Sequence, residues 1–158
     1  MIQRIQTLWL LLVSVCGILL CCMPAMCFSA ELEAEIQSLY EFRFAGMWDM
    51  LSEPSVQVMS VWPLAVLEVV IPLLSLVIIF LYRHRVVQAR LCTINILLMV
   101  GYYASLAVYT WKACMKMTVD WHPTVWSSLF IVSIILSLMA IRGILHDEAL
   151  VRAADRLR

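Results

Sequence analysis

The chain has 158 residues, 64% of them hydrophobic and 14% charged, and carries no net charge; its mean hydropathy is +0.94. A soluble domain is about 45–50% apolar and about a quarter charged, and a chain this short buries a limited share of its surface. The apolar surplus therefore excludes an ordinary water-soluble domain and points to the lipid bilayer as its solvent. No basic stripe interleaved with aromatic residues is present, which excludes a nucleic-acid partner.

Charges are costly at the centre of a bilayer, so charge-free gaps mark spans. About 20 helical residues cross the ~30 Å hydrocarbon layer. The first gap runs from Arg4 to Glu31 and predicts a span over residues 7–28, with Trp9 near its start. A cleaved signal peptide is the rival reading of residues 1–30. Signal peptidase prefers small residues in an A-x-A-like pattern, and Phe28-Ser29-Ala30 begins with a bulky one. A retained span is the expectation.

Residues 29–60 form the one sizeable segment outside the spans. They carry Glu31, Glu33, Glu35, Glu41, Asp49 and Glu53 against Arg43. Leu32, Ile36 and Leu39 share a face at helical spacing, which predicts a short helix over 30–39. Tyr40-Glu41-Phe42-Arg43-Phe44 alternates and predicts a short strand. Gly46 permits a turn, and Glu53-Pro54 marks a loop boundary. The segment is either a small cap over the helices or a solvated linker.

The second span covers residues 61–81, bracketed by Trp62 and Tyr82, and encloses one charge, Glu68. The third covers 91–111 and ends in Tyr109 and Trp111. The fourth covers 122–141 and opens near Trp121 and Trp126. Residues 142–158 predict an amphipathic tail, with Leu150, Ala153, Ala154 and Leu157 on one face and Glu148–Arg152 as an i, i+4 pair. Arg4, Arg83, Arg85, Arg90, Arg142, Arg152, Arg156 and Arg158 fall on one side, leaving Arg43, Lys112 and Lys116 on the other. By the positive-inside rule both termini are cytoplasmic. The expected fold is thus an all-α membrane protein. It is one membrane domain over 1–158, a four-transmembrane-helix bundle with a small acidic extracytoplasmic segment between spans 1 and 2.

The sharpest candidate site is Glu68, because an ionisable residue inside a span is expensive. Pro72 lies four residues later and cannot donate to the Glu68 carbonyl. Tyr102, Tyr103 and Ser105 on span 3, with Ser127 and Ser128 on span 4, fall at similar depth. Two roles are open: a protonatable or cation-binding pocket, or a protonated carboxyl holding helices together. Gly101-x-x-x-Ser105 and Ser133-x-x-x-Ser137 predict close helix contacts, and Asn95 a hydrogen bond between helices.

Cys16, Cys21, Cys22 and Cys27 lack metal-ligand spacing. Cys27 and Cys114 both fall near the outer face, where an oxidising compartment would allow a disulfide. Asp120 and His122 are two ligands without a third, too few for a metal site. Arg83-His84-Arg85 reads as a cytoplasmic stop signal. No nucleophile elbow, zincin motif, phosphate loop or dinucleotide fingerprint occurs, so neither enzyme activity nor a metal or cofactor is expected.

The ends of the chain are its most distinctive text. Met1-Ile2-Gln3-Arg4-Ile5-Gln6-Thr7 runs straight into an apolar helix, and Asp147-Glu148-Ala149-Leu150-Val151-Arg152-Ala153-Ala154-Asp155-Arg156-Leu157-Arg158 closes the sequence. Together they resemble a family of small four-span inner-membrane proteins of Bacteroidota, known only as a domain of unknown function. The resemblance covers the whole chain. It implies the architecture and a bacterial inner-membrane location, and it transfers no catalytic residue. The expected role is that of a non-enzymatic accessory, scaffold or sensor subunit, with a membrane-protein partner or a second copy. The alternative is a small oligomeric transporter or channel-like protein using Glu68.

Overall fold

The computed structural model describes residues 3–32, 35–44, 46–50, 55–82, 84–116 and 119–156. Glu33, Glu53, Pro54, Arg83, Leu157 and Arg158, used above for loop and topology, lie outside them. The elements are α1 (Gln3–Cys22), β1 (Met26–Leu32), β2 (Glu35–Arg43), β3 (Gly46–Asp49), β4 (Val56–Ser60), α2 (Trp62–Phe80), α3 (Arg85–Lys116), β5 (Asp120–Pro123) and α4 (Leu129–Arg156). A 3-10 turn, Val125–Ser128, leads into α4.

All four helices are long and apolar enough to cross a membrane. At 1.5 Å per residue the 19 residues of α2 reach ~28 Å and the 32 of α3 ~48 Å. The helices pack as a ring, α1 and α3 each touching both α2 and α4. Most of their outward faces are large apolar side chains such as Leu8, Leu11, Ile18, Leu73, Val77, Leu97 and Ile135, all exposed. Such faces are consistent with a membrane protein.

The all-α expectation is overturned by a five-stranded antiparallel sheet in the order β4-β3-β2-β1-β5. Residues 26–28, expected inside the first span, already belong to β1. Proline has no N–H to continue a helix, and α1 stops at Cys22, two residues before Pro24. The helix expected over 30–39 is also absent: Glu31 pairs with Ile36 and Leu32 with Glu35 across the β1–β2 ladder. The strand expected at 40–44 is the end of β2 as far as Arg43, and Phe44 lies in the turn that follows. β5 pairs with β1 through residues 120–123, two of which fell within the expected fourth span. α4 continues without a break to Arg156.

Every strand lies in a connection joining the same ends of the helices, so the sheet caps one end of the ring. Antiparallel sheets solvated on one side place apolar residues on the other. Phe28, Phe42 and Met47 are fully buried, and they join Leu64, Tyr102 and Phe130 of the helices in one apolar cluster. The rings of Phe28 and Phe42 meet edge to face at 4.9 Å. Each buried ring contributes about 2–3 kcal/mol. Glu41 and Arg43 pair at 2.7 Å, and the Arg43 side chain is half exposed.

α1 and α2 approach closely at Gly17. A Cβ at Gly17 would stand 2.9 Å from the Cβ of Pro72. A Cβ at Gly101 would meet nothing within 4 Å, so the close contact expected at Gly101-x-x-x-Ser105 is not made there. Gly17→Leu should therefore destabilise the protein by about 1–3 kcal/mol through overpacking, and Gly101→Leu should be near neutral. Thermal melting of both variants in one detergent checks the difference.

Candidate functional site

Glu68 is 5% exposed on the ring-facing side of α2. The Tyr102 hydroxyl of α3 donates to its Oε1 at 2.9 Å, while Oε2 is buried without a hydrogen-bond partner. The Tyr102 ring is fully buried and meets Phe130 of α4 edge to face at 4.9 Å. These contacts fix the height of the carboxyl relative to three helices.

α1 supplies the fourth wall. Pro72 leaves the Glu68 carbonyl without its helical donor, and the Cys21 thiol of α1 donates to that oxygen at 3.4 Å. One turn on, Ser14 of α1 (3.4 Å) and Ser75 of α2 (2.9 Å) donate to the Pro72 carbonyl. The proline thus does two things. It frees an acceptor for α1, and its ring accepts the close approach of Gly17.

Of the other expected members, Tyr103 donates to the Ser127 carbonyl and accepts from the Ile131 N–H at 3.1 Å, fastening α3 to the start of α4. Its ring lies 5.8 Å from that of Tyr102. Ser105 is half-buried and takes no part in these bonds. The Ser127 and Ser128 hydroxyls donate to the Thr124 and Val125 carbonyls of their own turn.

A second polar layer lies seven residues further along each helix, about 10 Å deeper into the ring. It comprises Ser14, Ser75, Asn95 and Ser137, one from each helix and all at most 2% exposed. Both amide atoms of Asn95 and the Ser137 hydroxyl are buried without partners. The sequence pointed to Asn95 as a hydrogen-bonding residue and to Ser137 as part of Ser133-x-x-x-Ser137. The layer was visible only as a seven-residue repeat, Tyr102 to Asn95 on α3 and Glu68 to Ser75 on α2. A third group closes the far end. Gln6 Nε2 donates to Asp147 Oδ2 at 2.8 Å, Arg85 donates to the Asp147 carbonyl at 3.0 Å, and Gln88 donates to the Ile78 carbonyl at 3.1 Å.

On the sheet, Cys27 stands directly opposite His122 on one side and Glu41 on the other. Side chains alternate along a strand, so Cys27 faces away from Met26 and Phe28. Those two face the helices, and Met26 takes the Thr110 hydroxyl of α3 on its sulfur. Cys114, near the end of α3, packs at the helix-facing cluster. Cys27 and Cys114 are both free thiols. His122 Nε2 is 2.8 Å from Ser29 Oγ. Burial pushes the Cys27 thiol up, and the Glu41 carboxylate adds to it. Among the described residues no group of three or more His, Cys, Asp or Glu side chains could hold a metal ion.

Fold and site together define a helical protein with four membrane-length apolar segments, a polar interior and an antiparallel sheet over one end. The chain belongs to the family described as Domain of unknown function (DUF4293), which matches residues 2–157. No curated protein matches the chain. No solved structure matches it either.

Two outcomes follow from this geometry. Tyr102→Phe removes the one donor to Glu68 Oε1 and should cost about 0.5–2 kcal/mol, the range for hydrogen bonds between membrane helices, read as a lowered melting temperature; Glu68→Gln keeps the acceptor and should cost less. In a variant whose only cysteine is Cys27, maleimide alkylation should stay slow to higher pH than for a free thiol, since the thiolate forms later. Glu41→Gln should move the midpoint of that pH–rate curve downward, by removing the negative charge opposite.

Proposed function

We propose that this is a multi-pass protein of the bacterial inner membrane, non-enzymatic, acting as an accessory or sensor subunit. In this reading the termini are cytoplasmic and the sheet faces the other side. The distribution of cations supports that orientation. Arg85, Arg90 and Arg142 belong to the half of the helices away from the sheet, and cations favour the cytoplasmic side.

The observation that carries the sensor role is the position of Glu68. Its carboxyl is bonded by Tyr102, which belongs to the same apolar cluster as Phe28, Phe42 and Met47 of the sheet. Gain or loss of the Glu68 proton changes what Tyr102 must do, and Tyr102 is packed in continuity with the sheet. The titratable groups around it are Cys21 from α1 and Tyr103 from α3, while α4 offers Phe130. Among the described residues β4 and β5 are the outermost strands of the sheet, and β4 presents exposed Val58. An open edge is a template for a partner strand.

The test is gentle detergent extraction of tagged protein from native membranes, followed by mass spectrometry of what remains bound. A stoichiometric partner that is lost in Val58→Lys, with membrane levels unchanged, is the expected result. Glu68→Gln should fix the protein in one state and remove any pH dependence of that capture. A bare monomer at every pH would sink this reading.

A second reading is favoured by one observation, the unpartnered polar atoms of Glu68, Asn95 and Ser137 inside the ring. A small oligomeric transporter would fill them with a proton, a cation or water. It predicts that Glu68→Gln abolishes ion flux in proteoliposomes while the protein still folds.

A further inference from the structure

We propose that the middle of the helix ring binds at least one long-lived water molecule, held by Asn95 of α3 and Ser137 of α4. The site takes up atoms that the transporter reading would fill, assigns them a neutral ligand, and fits an accessory subunit equally well.

The apolar interior of the ring is in two pieces. One cluster holds Val13, Ile71, Met99 and Phe130, the other Leu10, Ile78, Cys92 and Ala140. The break falls at one height. On α2 Ser75 lies between Ile71 and Ile78, on α3 Asn95 lies between Cys92 and Met99, and on α4 Ser137 lies between Phe130 and Ala140. Glu68, Tyr102 and Phe130 are level with one another through their contacts. A seven-residue step from each, two turns of helix, brings Ser75, Asn95 and Ser137 to one level as well. Ser14 of α1 reaches this height, since it shares the Pro72 carbonyl with Ser75.

The hydrogen bonds of this layer do not close among its own side chains. Ser14 and Ser75 each spend their one O–H on the Pro72 carbonyl and keep acceptor lone pairs alone. Asn95 and Ser137 are each 1% exposed. Yet neither amide atom of Asn95 has a partner, nor does the Ser137 hydroxyl. Unpaired polar groups are costly in surroundings of low dielectric. Asn95 therefore offers two N–H donors and one carbonyl acceptor to an occupant of the ring interior.

That occupant must both accept and donate. A metal cation has no lone pair for the Asn95 N–H groups, and the layer holds no carboxylate to balance its charge. By helical count Glu68 is ~10 Å away along the axis and Asp147 ~15 Å. An anion would face the Asn95 carbonyl oxygen with no cation beside it, and an apolar group would leave every polar atom unpaired. Water donates twice and accepts twice. A buried water makes about three hydrogen bonds to otherwise unsatisfied groups, and the two Asn95 amide atoms with the Ser137 hydroxyl supply that number. Ile71 and Met99 close the layer on the Glu68 side, and Leu10, Ile78 and Cys92 on the other. The water is thus enclosed between apolar plugs and belongs to no continuous file.

Asn95 is the chain's one asparagine, so asparagine labelled with nitrogen-15 in its side chain gives the full protein a single labelled amide group. The test measures magnetisation transfer from water to that group by NMR, with the protein in detergent micelles. The expected result is direct transfer from a long-lived water. It should be unchanged when choline chloride is replaced by sodium or potassium chloride at equal ionic strength. It should also persist in Ser137→Ala, which removes the unbonded hydroxyl of the layer, because Asn95 still supplies a donor and an acceptor. No transfer in the wild-type protein overturns the proposal. Transfer that disappears in Ser137→Ala while melting stays cooperative came through the hydroxyl, and overturns it too. If that variant does not melt cooperatively, the wild-type transfer and the salt comparison decide. An amide signal that moves with sodium or potassium overturns the water and favours the transporter reading, whereas neither transfer nor a salt response overturns the site and leaves the accessory reading to its own test.

Discussion

The helical part of this protein is organised by the need to keep polar groups off its outer faces. Each helix turns one narrow stripe inward, and those stripes carry Gln6, Ser14, Glu68, Ser75, Gln88, Asn95, Ser133, Ser137 and Asp147, all buried. The exposed faces are mostly apolar, with leucine, isoleucine and valine the commonest large side chains. In water this arrangement would be inverted. With apolar surroundings there is little hydrophobic force between helices, and small residues with interhelical hydrogen bonds supply the contacts. Gly17 against Pro72 and Tyr102 against Glu68 are the clearest cases here.

The sheet depends on the same interior. Its inner face does not close over a separate core. Phe28, Phe42 and Met47 continue the cluster that holds Tyr102 and Phe130. Helices and sheet therefore share side chains, and a disturbance at Glu68 has only to cross Tyr102 to reach residues that also bear the sheet. The polar outer face, with the Glu41–Arg43 pair, is free of that constraint.

Much of the helical part was legible in the sequence because charge gaps and hydropathy mark helices long and apolar enough to cross a membrane. Glu68, Pro72 and Tyr102 could be named because a charge and a proline inside a span stand out. What brings them together, Cys21 and Gly17 of α1, does not stand out, since both read as ordinary apolar-helix residues. The sheet was mostly hidden for a different reason. β1 begins as Met26-Cys27-Phe28, apolar text that continues the first span, and Pro24 was the one local signal that the helix had ended. Ala30 to Leu39 fits a helical period, yet its backbone finds better partners in the antiparallel ladder. β5 is four residues long, too short to carry a pattern, and is defined only by β1, far away in sequence.

That last pairing sets an order of events during synthesis. Strands β1 to β4 are consecutive and can pair as soon as they have emerged. β1 keeps one edge open until residues 120–123 follow the third helix out of the ribosome. From Cys27 to its ladder partner His122 the ribosome needs on the order of 5–20 s, at about 5–20 residues per second. Throughout that interval the inner edge of the sheet has the hydrogen-bonding capacity of an edge strand. β5 is thus a late clasp, and the sheet can reach its final width only after the third helix has been made.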